Sequence, residues 1–235
     1  MALPTLFYGV PSGCSFGSLV ALEWLGQPYR LCRIVMPDEV ITEDYRRINP
    51  VAETPTLMTE TGARISESMA ILNHLGARGV GSGLSFAQGT ADFDRLNHML
   101  AYLNTTFFGA FSPLWYALEH TELPESDRKA LRAYGARKVV TAHANLEAMM
   151  SDKPWLLGDQ RTFADAYFIG IARWTRYHEV LDRRDSPKLQ GLFDRLEADA
   201  GVQFAHAIEK GETPRGNGAF QGHIRLEEAL RRLAA

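Results

Sequence analysis

Up to about residue 80 the hydrophobic pattern switches between strand and helix periods, and beyond residue 90 it settles on the helical one. Leu6-Phe7-Tyr8 is a short apolar run stopped by Gly9. A loop then leads into an apolar segment from Ser15 to Leu25, followed by Gly26 at a helix-ending position and by Pro28. Tyr29–Val35 alternates large apolar with basic residues, with Leu31 and Val35 on one parity, and predicts a strand. The charged stretch from Pro37 to Asn49 has room for one short exposed helix. Thr56-Leu57-Met58 and Arg64-Ile65 predict two strands joined through Glu60-Thr61-Gly62, a hairpin pattern with glycine near the turn. Ser68 to Leu75 predicts a helix. The resulting order, β-α-β-α-β-β-α, implies an α/β layer with parallel pairing in it.

Gly79-Val80-Gly81-Ser82-Gly83 marks a linker. Its glycine spacing follows a helix rather than a strand, which argues against a dinucleotide fingerprint. Leu96, Met99, Leu100 and Leu103 then recur at helical spacing. A second helix is predicted from Ser126 to Met150. Thr162-Phe163-Ala164-Asp165 opens a third, with Thr162 as cap and Asp165 as the returning acid of a capping box. Ser186-Pro187 opens a fourth, with Leu189, Leu192, Phe193 and Leu196 as its buried stripe. Gly211 to Gly222 reads as a connector, and Leu226, Ala229, Leu230 and Leu233 give the last helix one apolar face. The predicted division is an α/β domain over 1–80, a linker over 81–90, an all-helical domain over 91–210 and a C-terminal tail over 211–235.

Composition narrows the setting. The chain has 235 residues, 46% hydrophobic and 23% charged, enough for one large or two small cored domains. A net charge of -3 gives no electrostatic reason to expect nucleic acid or an anionic membrane as partner. No apolar run approaches the length of a membrane span. The N-terminus lacks the basic-then-apolar pattern of a secretory signal, and the two cysteines, Cys14 and Cys32, are a poor disulfide framework. A cytoplasmic location is expected. The seven histidines show no ligand spacing, so a metal-free protein is expected.

Candidate chemistry concentrates between Asn49 and Asn73. The hairpin brings Thr54-Pro55 beside Glu67-Ser68, making a cleft with a backbone edge on one side and a helix N-terminus on the other. Such a cleft suits a small extended peptide carrying a carboxylate. A cis Thr54-Pro55 bond would turn Thr54 outward as a strand edge; a trans proline opening a strand is the plainer reading. Ser68 and nearby N–H groups can hold a carboxylate while Glu67 faces an ammonium, or the pair can serve as a helix cap with a first-turn acid. Cys14 and Ser15 lie where a loop meets a helix, where the positive dipole end lowers a thiol pKa; a small buried thiol is the plainer reading of Cys14.

These motifs, in this order, resemble the soluble glutathione transferases over about residues 5 to 200. Phe7-Tyr8-Gly9-Val10-Pro11-Ser12-Gly13-Cys14-Ser15 looks like the family's first strand and active-site loop. Asn49-Pro50 with Thr54-Pro55 looks like its loop into a cis-proline, and Glu67-Ser68 with Ala70-Ile71 like its acidic-Ser pair. Gly158-Asp159-Gln160 with Thr162, Asp165 and Ala166 looks like its helical capping motif. Gly13-Cys14-Ser15, Leu103-Asn104 and Phe111-Ser112-Pro113-Leu114 are most like the bacterial beta class. The resemblance implies an α/β thioredoxin-like N-terminal domain, an all-α C-terminal domain and a homodimer. It implies glutathione as co-substrate and a small apolar electrophile bound between the domains.

Carried over residue by residue, it implies glutathione contacts from Thr54, Pro55, Glu67, Ser68 and Asn104, with Arg33 as a substitute for the class's basic residue after strand two. Met36-Pro37-Asp38-Glu39 stands where that basic residue belongs, and Phe108-Gly109-Ala110 replaces the class's His-Lys pair. Cys14 and Ser15 are the implied catalytic residues. Tyr8, Phe108, Phe111 and Trp115 are the implied electrophile pocket, with an aromatic core as the plainer reading of the run from Phe107 to Tyr116.

Either Ser15 or Tyr8 donates a hydrogen bond to the glutathione sulfur, or Cys14 acts directly. Lowering a thiol pKa from about 8.5 to about 6.5 raises the thiolate fraction roughly 25-fold at pH 7 but lowers nucleophilicity roughly 6- to 10-fold, so positioning carries most of any acceleration. Two other readings stand beside conjugation: a monothiol glutathione-dependent disulfide reductase using Cys14, and a non-catalytic interaction module that keeps the fold.

Overall fold

Five strands, β1 (Thr5–Val10), β2 (Tyr29–Val35), β3 (Thr56–Met58), β4 (Arg64–Ser66) and β5 (Phe220–His223), form one sheet in the order β4-β3-β1-β2-β5. The structure is a computed structural model that describes residues 2–10 and 13–234; Pro11 and Ser12 of the expected active-site loop lie outside them. Strand β1 is buried at all its positions, as a central strand covered on both faces requires. It runs parallel to β2, with Phe7 opposite Cys32 and Tyr8 opposite Arg33, and antiparallel to β3.

Helix α1 (Phe16–Leu25) is buried at almost every position and stops at Gly26, whose φ of 68° only glycine adopts without cost. Helix α2 (Glu43–Arg46) is capped by the Thr42 side chain, and α3 (Ser68–Gly79) follows the β3–β4 hairpin. One apolar cluster joins Phe7, Cys32, Ile34 and Met58 of the sheet to Tyr45 and Ile48 from the α2 region.

Two compact units result, Met1–Ala87 with Glu197–Ala235, and Gln88–Leu196. This differs from the predicted division at its C-terminal end. Helix α10 (Ala200–Lys210), expected in the helical domain, belongs with the sheet, where the Trp24 indole N–H donates to Asp199 at 2.7 Å. The expected tail is built in as well. Strand β5 extends the β2 edge in parallel, with Tyr29 N–H donating to Ala219 C=O at 3.1 Å and Ile224 N–H to Leu31 C=O at 2.8 Å. Ahead of it, the buried Glu23 carboxylate accepts from the Asn217 N–H at 2.5 Å and from the Tyr29 hydroxyl at 3.0 Å. Helix α11 (Leu226–Ala234) then lays Ala229 and Leu230 on the cluster around Phe7. The Gly79–Gly83 stretch is the end of α3 and a short 3-10 turn, Val80–Ser82, inside the first unit.

The second unit holds α4 (Ala91–Tyr102), α5 (Phe108–Glu119), α6 (Glu125–Met149), α7 (Phe163–Ala172), α8 (Trp174–His178) and most of α9 (Pro187–Glu197). A π-helical segment, Leu103–Phe107, joins α4 to α5. Thr162 and Asp165 form the expected capping box. The buried Asp165 carboxylate accepts from Thr162 N–H at 2.7 Å and, beyond the box, from Leu156 N–H at 2.9 Å. No helix among the described residues is long and apolar enough to cross a membrane.

Candidate active site

The cleft is assembled from three segments of the first unit. The loop between α2 and β3 supplies Thr54. The Glu53 carbonyl just before it accepts from the Tyr45 hydroxyl at 2.8 Å and the Asn49 side-chain amide at 2.8 Å, while Asn49 Oδ1 accepts from Val51 N–H at 3.1 Å. Tyr45 and Asn49 are thus positioning residues that the site prediction lacked. Asn49-Pro50 stood in the motif, but nothing local in the sequence indicated which carbonyl it reaches. Asn49→Ala removes the side-chain donor to the Glu53 C=O and the acceptor of the Val51 N–H, and is expected to cost about 1 kcal/mol. A urea midpoint unchanged within error would show that Tyr45 alone holds the loop.

The Thr54–Pro55 peptide is cis, as is Met36–Pro37. Among the described residues the Thr54 N–H has no acceptor, and its C=O accepts from the Cys14 thiol at 3.0 Å. Strand β1 approaches so closely that a Cβ on Gly9 would lie 2.3 Å from Thr54 Oγ1, so glycine is required there.

The loop into α1 supplies Cys14 and Ser15, which differ in what they face. Ser15 is fully buried, and its hydroxyl accepts from Gly9 N–H at 3.1 Å, tying the loop to β1. Cys14 is half-buried, beside Thr54 and near the Ser68 hydroxyl. The expectation of a lowered Cys14 pKa is corrected: burial pushes the thiol up to about 11, and the Ser68 hydroxyl opposes this only in part. Desolvation outweighs the helix dipole, and Cys14 is a neutral hydrogen-bond donor near pH 7.

The third segment is the start of α3. Ser68 is buried in its first turn. Glu67, exposed at the N-cap position, makes no side-chain capping bond, so the plainer cap reading does not describe it. It holds φ 68° and ψ 122°, a conformation that costs a non-glycine residue about 1–3 kcal/mol.

Two expected members of the site lie elsewhere in the first unit. Tyr8 is fully buried with its hydroxyl 3.0 Å from His223 Nε2. Arg33, opposite it on β2, reaches Ile208 C=O at 3.5 Å. Both line a cavity of about 670 Å³ with Phe220 and His223, and none of Cys14, Thr54, Glu67 or Ser68 lines it. The side-chain alternation of β1 and β2 turns Tyr8 and Arg33 together, away from the Phe7–Cys32 face; β5, absent from the prediction, supplies the partner of Tyr8, and the end of α10 that of Arg33. Burial raises the Tyr8 pKa and lowers that of His223.

In the second unit, Phe111 is not a pocket residue. It is fully buried among the rings of Phe107, His143, Trp174 and His178. Phe108, against Trp174, and Trp115, stacked on Tyr177 at 5.3 Å, are partly exposed. Asn104 Oδ1 accepts from the Tyr167 hydroxyl at 2.7 Å, leaving its amide donors.

A thioredoxin-like sheet carrying a thiol against the residue before a cis-proline, followed by a helical unit, defines a class of two-domain thiol-handling proteins. Comparison with known proteins specifies it further. Residues 11–78 match the family model "Glutathione S-transferase, N-terminal domain", and residues 99–200 match "Glutathione S-transferase, C-terminal domain". Glutathione S-transferase GST-4.5 of Xanthomonas campestris is 30% identical over 207 residues, spanning 86% of this chain and 97% of that protein. A sphingomonad glutathione S-transferase complexed with glutathione shares the fold at a TM-score of 0.75, with 24% identity over 88% of this chain and 98% of that one. The beta-class enzyme of Sphingomonas chungbukensis does so at 0.75, with 23% identity over 87% and 98%. The chain belongs to the glutathione S-transferase family.

Proposed function

We propose that this glutathione transferase binds glutathione along Thr54 and joins its sulfur to a small apolar electrophile. The observation that supports this most directly is the Cys14 Sγ to Thr54 C=O contact of 3.0 Å, made beside a Glu67 carboxylate free of capping duty and a buried Ser68. In this reading the cysteinyl unit of glutathione pairs with Thr54 as an added strand. Its γ-glutamyl carboxylate meets Ser68 and the α3 N-terminus, and its ammonium meets Glu67. Cys14 turns its S–H from the Thr54 carbonyl to the glutathione sulfur and stabilises the thiolate. The thiol proton leaves to solvent, a carbon–sulfur bond forms, and the leaving group departs with the bonding pair. Phe108 and Trp115 are the aromatic candidates for electrophile contact. The sphingomonad neighbour solved with glutathione supports the co-substrate. Assembly as a homodimer follows from the same family reading.

The reductase route fits less well. A thiol of pKa about 11 is thiolate in only about one molecule in 10⁴ at pH 7, and thiol–disulfide exchange needs the thiolate. Cys14→Ala decides between the readings. It is expected to keep retention on immobilised glutathione, to raise the pKa of the bound glutathione thiol in the thiolate absorbance, and to lower kcat/KM with an aromatic halide roughly 10- to 100-fold. Disulfide reduction abolished with conjugation untouched would favour the reductase; retention without turnover in the parent protein would leave the interaction module.

A further inference from the structure

A groove of about 620 Å³ on the first unit, within the size range of small-molecule sites, is lined by three arginines and no acidic residue. Arg46 and Arg47 come from the end of α2, Arg64 from β4, and Thr56 and Ser66 from the paired strands. Leu233 of α11 lines it as well, although α11 lies beyond the residues that the family models match. None of Cys14, Thr54, Glu67 and Ser68 lines the groove, and of the residues that position the cleft it takes in Asn49.

The arginines are held mostly by neutral acceptors. Arg64 Nη1 donates to the Arg47 carbonyl at 2.6 Å, and Arg46 Nη1 reaches the Pro50 carbonyl at 3.4 Å. Among the described residues neither Arg46 nor Arg64 has a carboxylate partner. Arg47 lies 3.6 Å from Asp44, with both side chains more than half exposed, so that pair contributes little. Each guanidinium carries five N–H donors, of which these contacts use few. Three like charges around one groove repel one another, and a bound anion would relieve that while engaging planar donors suited to phosphate oxygens. The chain as a whole is acidic at -3, so this positive groove is local and gives no general attraction for polyanions.

We propose that this groove is a second ligand site, separate from the glutathione cleft, that takes a small diphosphate-bearing molecule. The proposal does not depend on the transferase reading. Inorganic pyrophosphate titrated calorimetrically into the full-length chain at low ionic strength is expected to bind one site, more tightly than inorganic phosphate. In Arg47→Gln/Arg64→Gln, both solvent-facing changes, affinity should fall at least tenfold while retention on glutathione stays as in the parent chain, which also shows that the variant is folded. Absence of binding, or equal affinity in the variant, overturns the proposal. Displacement of pyrophosphate by glutathione overturns its independence of the cleft. A change in oligomeric mass in the variant with pyrophosphate affinity unaltered assigns the arginines to contact between copies of the chain instead.

Discussion

Asp165→Ala is expected to destabilise the protein by about 3–5 kcal/mol, read as a lower urea midpoint. The Asp165 carboxylate is fully buried and accepts three hydrogen bonds: from Leu156 N–H at 2.9 Å, Thr162 N–H at 2.7 Å and the Thr162 hydroxyl at 3.1 Å. Alanine leaves those buried donors unpaired, at about 1–3 kcal/mol each, and removes half of the capping box. The cost of burying the carboxylate disappears at the same time, which keeps the net below the sum. A change under about 1 kcal/mol would mean that water or a neighbour replaces the carboxylate.

The pH dependence has an unusual sign for an acid. Burial raises the Asp165 pKa from 3.8 to about 6, against the lowering effect of its hydrogen bonds. Between these values the folded state holds the proton and the unfolded state does not. The contribution of Asp165 to stability therefore rises as pH falls through about 6 and is complete below 3.8. Asp165→Asn cannot titrate, so the parent chain should gain on it between pH 7 and pH 4.5. A stability difference that stays flat over that range would show an ordinary carboxylate.

The order from β1 to α3 was legible because each element carries its own period and its own punctuation, such as Gly26 after α1 and the glycine of the β3–β4 hairpin. The proximity of Thr54 to Glu67 and Ser68 was legible for the same reason, since one hairpin, with Thr56 opposite Ser66, brings these residues together. Strand β5 was not: four residues, Phe-Gln-Gly-His, are too few to show alternation, and its place is set by the Glu23–Asn217 contact across 194 positions. Missing β5 misplaced Tyr8 and Arg33, whose partners, His223 and the end of α10, return from the far end of the chain. The expectation of a lowered Cys14 pKa erred in a different way. A helix N-terminus is visible in sequence, whereas the burial that outweighs its dipole is a property of the packed loop. Phe111 illustrates the same limit, because an aromatic run on a helix has no mark separating a lining ring from a core ring.

Glu67 carries the sharpest expectation for binding. Its carboxylate is exposed, makes no cap, and sits on a backbone at φ 68°, so the fold holds a strained residue whose side chain returns nothing local. In the proposed cleft that carboxylate meets the glutathione ammonium, and a charge-assisted hydrogen bond of this kind contributes about 1.5–3 kcal/mol. Glu67→Gln should therefore raise the glutathione Kd roughly 10- to 100-fold while leaving the urea midpoint in place. Glu67→Gly separates the two roles, since glycine tolerates positive φ. It should weaken glutathione at least as much as glutamine does, yet keep or raise stability, by up to about 1 kcal/mol. Opposite signs for binding and stability in one variant mark a residue strained for its ligand. Equal glutathione affinity in Glu67→Gln and the parent chain would remove Glu67 from the site, and a marked loss of stability in Glu67→Gly would make its conformation structural instead.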